Sequence, residues 1–424
     1  MSITIHSQPQ AVVPVYNPFY VVGTSSNINQ PHFNFLIDIF TGQTGGYSYA
    51  TRIVIPPDPF GNLIFSANRV LENYLSYDLP QNTVTWALNQ NCAACYNIKI
   101  GEQYAINPAT GATNYSGLTN VEGIVWNGAL QYQYLPNYDY VSYLLTGSTT
   151  GSSANFLSYQ PDNILIRPNE RASLSAIVNP KIVPCDEADT MFITVYQNSG
   201  GTRTYEVFNI PYSSTTSVSA FIVEHFGSGL WNLAQLNSGN TYAFSGAPFP
   251  VINLSTDYMY ALQVVGTFCD GGRRYISKLQ FYTIDNSCGK YETVRLMWIN
   301  SLGGADYFTF TLVDRISYSN TRSTYQKVLP YNYSLGQRGN TVLDSDIQQS
   351  RQVNSNWVDD ETATWLNTEM KNSPEVYELQ PDGSLYPIIL TDTTWEVGQY
   401  INNQELVQVN VNYNYAYKNV VQRG

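Results

Sequence analysis

KYETVRLMWINSLGGADYFTFTL, residues 290–312, changes character at every second position on both sides of a glycine break. Val294, Leu296 and Trp298 alternate with Thr293, Arg295 and Met297. Past Asn300-Ser301-Leu302-Gly303-Gly304, the residues Phe308, Phe310 and Leu312 alternate with Tyr307, Thr309 and Thr311. Successive side chains of a strand point to opposite faces, so a period of two around a short glycine-containing connection predicts an antiparallel hairpin. One of its faces should be apolar. A weaker copy is expected at 123–145, GIVWNGALQYQYLPNYDYVSYLL, where Leu130, Tyr132 and Tyr134 alternate with Gln131 and Gln133.

Composition agrees with strands. The chain has 424 residues, more than one small core accommodates, which predicts two or three domains. Tyr contributes 35 residues while charged residues are only 12% of the total, a balance that favours sheet over helix. At 43% hydrophobic and 14% aromatic, the chain can bury a large core and is not disordered. A net charge of −12 disfavours nucleic acid and anionic membrane surfaces as partners. No window reaches the roughly 18 consecutive apolar residues of a membrane span, so no membrane insertion is expected. The opening MSITIHSQPQ lacks a basic segment followed by an apolar run, which predicts a protein made in a cytoplasm and kept soluble. Cys92, Cys95, Cys185, Cys269 and Cys288 are then expected as free thiols.

The chain before the hairpin reads twice. In 32–57, HFNFLIDIFTGQTGGYSYATRIVIPP, and again in 189–211, DTMFITVYQNSGGTRTYEVFNIP, the apolar and glycine positions run nearly in step. This predicts a tandem duplication, with an antiparallel β-sandwich of the immunoglobulin or fibronectin type III kind in each copy. Ser66 is a candidate cap for a short helix carrying Val70, Leu71, Tyr74 and Leu75, and 218–226 occupies the equivalent place in the second copy. GSTTGSS at 147–153 has linker composition. The expected domains are 1–153, 154–318 and a C-terminal β-rich domain, 319–424. In the last, 331–355 is a polar, extended or irregular excursion. Asp359-Asp360-Glu361 opens a helix near 361–371 that Ser373-Pro374 stops, because carboxylates favour a helix N-terminus. Val376 to Leu390 is a second hairpin around Gln380-Pro381-Asp382-Gly383-Ser384, and 405–417 is a long alternating strand.

Motifs of catalysis are sparse. His6, His32 and His225 lie in unrelated contexts and are read as structural; no His-Glu-x-x-His and no Gly-x-Ser-x-Gly occurs. Gly289-Lys290 lacks the upstream glycine of a phosphate loop. Cys92-Ala93-Ala94-Cys95 has redox or metal-like spacing, but Cys269 and Cys288 do not form a second such pair, and two thiols at a strand start is the preferred reading. Asp344, Asp346, Asp359, Asp360 and Glu361 are the carboxylates from which a glycosidase pair would be drawn, and adjacent acids before a helix serve more often as caps. Neither Asp344-Ser345-Asp346 nor Asp186-Glu187-Ala188-Asp189 completes a calcium loop. No catalytic, cofactor-binding or metal residue is assigned.

NPFYVV at 17–22, RLMWINSLGGADYFTF at 295–310, and WLNTEM with SPEVYELQPDGSLYPIILTD at 365–392 resemble stretches of virion structural proteins of tailed phages, particularly those of Bacteroidetes-type hosts. The resemblance touches all three segments through short structural motifs and carries over no functional residue. It implies a non-enzymatic component of a tail, neck or baseplate, assembled in the bacterial host cytoplasm and acting through contacts with itself and other virion proteins. Surface Tyr and Trp with few charges suit such contacts, and a ring is one arrangement in which they close. The 405–417 strand either pairs inside its own third domain, the preferred reading, or lies at a sheet edge and pairs between subunits. The alternative is a receptor- or glycan-binding module using Tyr and Trp as stacking platforms on host surface polysaccharide.

Overall fold

The structure is a computed structural model and describes residues 2–424 apart from 43–46, 81–85, 108–111, 146–153, 179–189, 199–201, 210–221, 239–251, 253, 255, 268–271, 288–290, 313, 338, 393–405 and 421–424. The chain is mainly β and forms two compact units. Unit 1 holds residues 1–158, 162–285 and 300–305; unit 2 holds 159–161, 286–299 and 306–424.

Unit 1 begins with β1 (Ile3–Ser7), β2 (Val12–Pro14), β3 (Val21–Ser25), β4 (Asn34–Gly42), β5 (Ser48–Ile55), β6 (Asn62–Phe65), the single-turn α1 (Asn68–Leu71), β7 (Trp86–Asn89), β8 (Ala93–Asn107) and β9 (Ala112–Trp126). It continues with β10 (Leu144–Leu145), β11 (Asn163–Ile166), β12 (Ser173–Val178), β13 (Thr190–Gln197), β14 (Thr202–Asn209), β15 (Ile222–Gly227), α2 (Leu230–Ser238), β16 (Met259–Thr267), β17 (Arg273–Tyr275) and β18 (Gln280–Ile284).

The two halves of unit 1 repeat one topology. The larger sheets run β2-β9-β8-β4-β5 and β11-β18-β16-β13-β14. In each, the first pair named is parallel, β2 with β9 and β11 with β18, whereas the remaining pairs along the row are antiparallel. The smaller sheets, β1-β3-β6 and β10-β12-β15-β7, match through their first three strands. Chance similarity between alternating stretches would not reproduce both strand order and the position of one parallel pair. The halves differ where β10 runs parallel to β12 while β1 opposes β3, and where β7 crosses to pair with β15. The helical counterpart of α1 is α2, which follows β15; the 218–226 stretch assigned that place is instead, from Ile222, a strand. α1 starts from Ala67 without a side-chain cap, and Ser66 Oγ donates to Asn68 Oδ1 at 2.8 Å.

Each half closes as two sheets over a core, as the alternation requires. In the first, Ile3, Val21, Leu63 and Phe65 of the small sheet pack with Phe35, Ile37, Ile39, Tyr96, Ile98 and Ile100 of the large one. In the second, the Tyr260 and Tyr282 rings of β16 and β18 stack at 5.0 Å, and both hydroxyls donate to Ser228.

The 123–145 hairpin copy does not form. After β9 the chain makes two 3-10 turns, Tyr132–Asn137 and Tyr140–Tyr143. Pro136 removes a ladder donor, and the Asp139 carboxylate accepts from Val141 N at 3.1 Å to start the second turn.

Unit 2 is an eight-stranded sheet built from β19 (Val294–Ile299), β20 (Ala305–Phe310), β21 (Arg315–Gln326), β22 (Asn340–Asn354), β24 (Val376–Leu379), β25 (Leu385–Leu390), β27 (Asn410–Tyr415) and β28 (Asn419–Val420). A separate pair joins β23 (Val358–Asp359) to β26 (Leu406–Val407). The order is β20-β19-β24-β25-β27-β22-β21, with β28 beside β22. The 290–312 hairpin therefore belongs with the C-terminal sheet and not with the second sandwich. It is also buried on both faces: Leu296, Met297 and Trp298 are all inaccessible, as is Asp306, which accepts from Trp365 Nε1 at 3.0 Å. Trp365 sits in α3 (Asp360–Trp365), which Asp359 caps by accepting from Thr362 N at 2.8 Å and which runs on as a π-helical turn to Met370. The 405–417 stretch divides at Gln408-Val409, and its main part, β27, lies between β25 and β22, so it offers no free edge.

The tip of the 290–312 hairpin groups with unit 1. Asn300 Nδ2 donates to Leu157 O at 2.7 Å, its Oδ1 accepts from the N–H groups of Leu302 and Gly304, and Trp126 Nε1 donates to Leu302 O at 3.1 Å. A Cβ on Gly304 would fall 2.2 Å from Leu157 O, a backbone atom that cannot swing away. Gly304→Ala is expected to cost about 2 kcal/mol or more by overpacking, read as a lower urea midpoint for unit 1. An unchanged midpoint would show that the tip is loosely seated.

Candidate assembly site

β21 and β22 pair in register from Arg315↔Gln352 to Gln326↔Asn340, with one bulge at Leu343. β27 covers β22 only over residues 350–354, and β28 touches it only at 346–347. Outward of Ser350 the two strands thus form a ribbon, an arm turned through 327–339. All twelve residues of β21 are exposed, and β21 ends the sheet, with no strand among the described residues pairing with its outer edge. The turn carries apolar side chains at full exposure: Val328, Tyr331 and Leu335 stand at 99%, 105% and 102%. Lys327 N donates to Gly339 O at 2.7 Å to close it.

The base of the arm is locked by a buried charged cluster. Arg351 of β22 reaches Asp314 through Nε at 2.8 Å and Nη2 at 2.5 Å, and Glu378 of β24 through Nη1 at 2.6 Å. The other Glu378 oxygen accepts from the hydroxyls of Tyr413 and Tyr415, each at 2.7 Å, and Gln380 Nε2 adds a fourth contact at 2.9 Å. Burial alone would push the Arg351 guanidinium down; the bonded Asp314 carboxylate and the charge of Glu378 outweigh it and raise its pKa further. Burial first, then Glu378, raises the Tyr413 phenol well above its ordinary value. Every member is matched donor to acceptor, as a positioning network requires.

The residues singled out in the sequence are scattered. Asp344 and Asp346 lie on the arm, where Asp346 is paired with Lys418 Nζ at 2.7 Å, while Asp359 caps α3 and Asp360 and Glu361 lie exposed in its first turn. Cys92 and Cys95 are buried thiols of the first sandwich, with Cys92 Sγ donating to Asn89 O at 3.1 Å. His6 Nε2 meets Thr24 Oγ1 at 2.8 Å, His32 takes a left-handed φ of 54°, and the backbone of His225 lies in β15. Cys185, Cys269, Cys288 and 186–189 lie outside the described residues. Among the described residues no group of three or more His, Cys, Asp or Glu is placed to hold a metal, and no helix is long and apolar enough to cross a membrane.

The arm itself is the feature the sequence reading missed. Its strands show no apolar period because neither face is buried, and period-two hydrophobicity reports burial rather than extension. The signal present is propensity: Ile316, Tyr318, Thr321, Thr324 and Tyr325 are strand formers in a stretch with no internal Pro or Gly.

By architecture, the chain is a duplicated β-sandwich followed by a sheet that projects a ribbon. No family model and no curated protein matches it. Among solved structures it is similar to a Ca2+-stabilised adhesin that helps an Antarctic bacterium bind ice, at 10% identity over 83% of this chain and 69% of that one, with a TM-score of 0.17. It is likewise similar to a putative membrane-anchored protein from Corynebacterium diphtheriae, at 12% identity over 68% and 59%, with a TM-score of 0.18. The calcium-binding domain CBD12 of CALX1.1 overlays at 9% identity over 65% and 81%, with a TM-score of 0.17. Overlays this loose carry no argument about this chain.

Proposed function

We propose that this protein is a non-enzymatic structural component of a tailed-phage virion, in the tail, neck or baseplate, that assembles in the host cytoplasm by joining copies of itself and other virion proteins. The observation that carries the reading is the arm. A two-stranded ribbon alone is at best marginally stable in water, and an exposed edge with apolar side chains at its turn is a surface built to be covered. The motif resemblance at 295–310 and 365–392 supplies the kind of assembly. Labelling purified particles with an antibody to this chain is expected to mark one fixed place on the tail, neck or baseplate; particles that carry no copy would overturn the reading.

A second reading, a receptor- or glycan-binding module, draws on the same turn, since Tyr331 and Tyr333 are exposed rings on which a sugar can stack. Binding of host surface polysaccharide by the purified chain, lost in Tyr331→Ala, would favour it.

A further inference from the structure

Charge along the arm identifies its partner. The edge strand β21 carries Arg315 and Arg322 and no carboxylate. From 315 through 349 there are four cations, Arg315, Arg322, Lys327 and Arg338, against two carboxylates, Asp344 and Asp346, a net of +2. Lys418 already pairs with Asp346. Since the whole chain stands at −12, the remainder stands at −14. A basic projection on an acidic body has its complement on the same molecule. It is poorly placed to meet nucleic acid or an anionic membrane, because the body that must follow it is repelled.

We infer that the arm binds a second copy of this chain, head to tail, seating on that copy's acidic body and not on its arm. The inference rests on the assembly reading above and specifies its geometry. Contact of arm with arm would be isologous and would set Arg315, Arg322 and Lys327 of both copies against one another, and like charges across strands are destabilising. Arm on body is heterologous, so each copy gives one arm and receives one, and the series closes as a ring or continues as a filament. Outward of Ser350, the nine residues 318–326 of β21 at roughly 3.3 Å each make a ribbon about 30 Å long and, as two strands, about 10 Å wide. Its two faces offer about 600 Å², to which the exposed turn adds, against the roughly 800 Å² that one partner contributes to a standard interface.

The test is sedimentation velocity of the full chain at micromolar concentration in low and high salt. The expected result is species larger than dimers at 50 mM NaCl, with association weakened at least tenfold at 500 mM. The triple variant R315E/R322E/K327E is expected to be monomeric with an unchanged thermal unfolding curve, since these side chains are exposed. Mixed with the native chain, the variant still presents an acidic body but has no working arm, so it should terminate growth and shorten the multimers. Native chains that bind the variant more tightly than they bind each other would indicate arm-to-arm pairing and overturn the inference, because the variant's body is unchanged and only its arm has reversed charge. So would multimers indifferent to the charge reversal, or a chain that stays monomeric at every salt and concentration. A monomeric chain that is nonetheless found in particles would leave the virion reading standing, whereas absence from particles would remove that reading even if multimers form.

Discussion

Glu378→Ala lowers the unfolding free energy of unit 2 by about 3–5 kcal/mol, because it breaks a buried ion pair from one side. Glu378 is 4% exposed and accepts four hydrogen bonds. Its removal leaves Arg351 with Asp314 as its carboxylate partner and strands the Tyr413 and Tyr415 hydroxyls without their acceptor. Those two stranded donors each add a desolvation cost of about 1–3 kcal/mol, partly offset by relaxation. At a urea m-value of about 2 kcal/mol/M, the unit 2 midpoint should fall by about 2 M. Trp298 and Trp365, with ring centroids 5.0 Å apart in the core of that unit, supply the fluorescence signal. The double variant R351M/E378L should not recover the loss, since it also leaves the Asp314 carboxylate without its cation and the Tyr413 and Tyr415 hydroxyls without an acceptor. A single variant that loses less than about 1 kcal/mol would show that water already reaches the cluster.

The same cluster bears on the arm. Asp314 directly precedes β21 and Arg351 lies within β22, so the guanidinium holds the two strands where the ribbon leaves the sheet. Glu378 fixes that pair to β24. The stiffness a projecting ribbon needs at its root thus comes from ionic contacts, whereas a core of packed side chains supplies it in the sandwiches.

How much of this was legible follows from what alternation measures. The hairpin at 376–390 was readable because Gly383 at φ 93° and the Asp382 carboxylate, which accepts from Ser384 N, do their work locally. The α3 start was readable for the same reason, Asp359 reaching only three residues ahead. Sheet membership was not. Alternation in 294–299 reports a strand but not its neighbour, and Arg295 pairs with Leu379 far along the chain. Nor does the sequence distinguish a central strand from an edge, which is why β27 resembles a free terminal strand and yet has a neighbour on each side. Glu378 was hidden for a third reason: in VYELQ it occupies the position of an outward polar residue, and its four partners come from Arg351, Tyr413, Tyr415 and Gln380. The duplication was visible as similar strings at 32–57 and 189–211, and the shared strand order of the two large sheets gives that similarity a three-dimensional form.

Alkaline solution should unfold this protein steeply. Tyr96 and Tyr413 are wholly inaccessible, and burial raises both phenols above their ordinary value of 10.0, helped at Tyr96 by the neighbouring Tyr47 and at Tyr413 by Glu378. Tyr96 lies directly across from Gly123 in the β8–β9 ladder, and the glycine leaves room for its ring: a Cβ there would sit 2.5 Å from the hydroxyl. The folded state holds these phenolic protons more tightly than the unfolded chain. Their stabilising contribution is therefore complete below pH 10 and is lost as pH rises from there toward the folded-state values. Each such group removes about 1.4 kcal/mol per pH unit in that window. Tyr96 should act on the transition of unit 1 and Tyr413 on that of unit 2. Absorbance at the phenolate band should show an abrupt step as Tyr96 and Tyr413 ionise with loss of structure. Tyr96→Phe should remove about 1.4 kcal/mol per pH unit from the alkaline slope of unit 1 and leave unit 2 unchanged. A smooth titration of every tyrosine with the fold intact would mean that both phenols are reached by water in the native state.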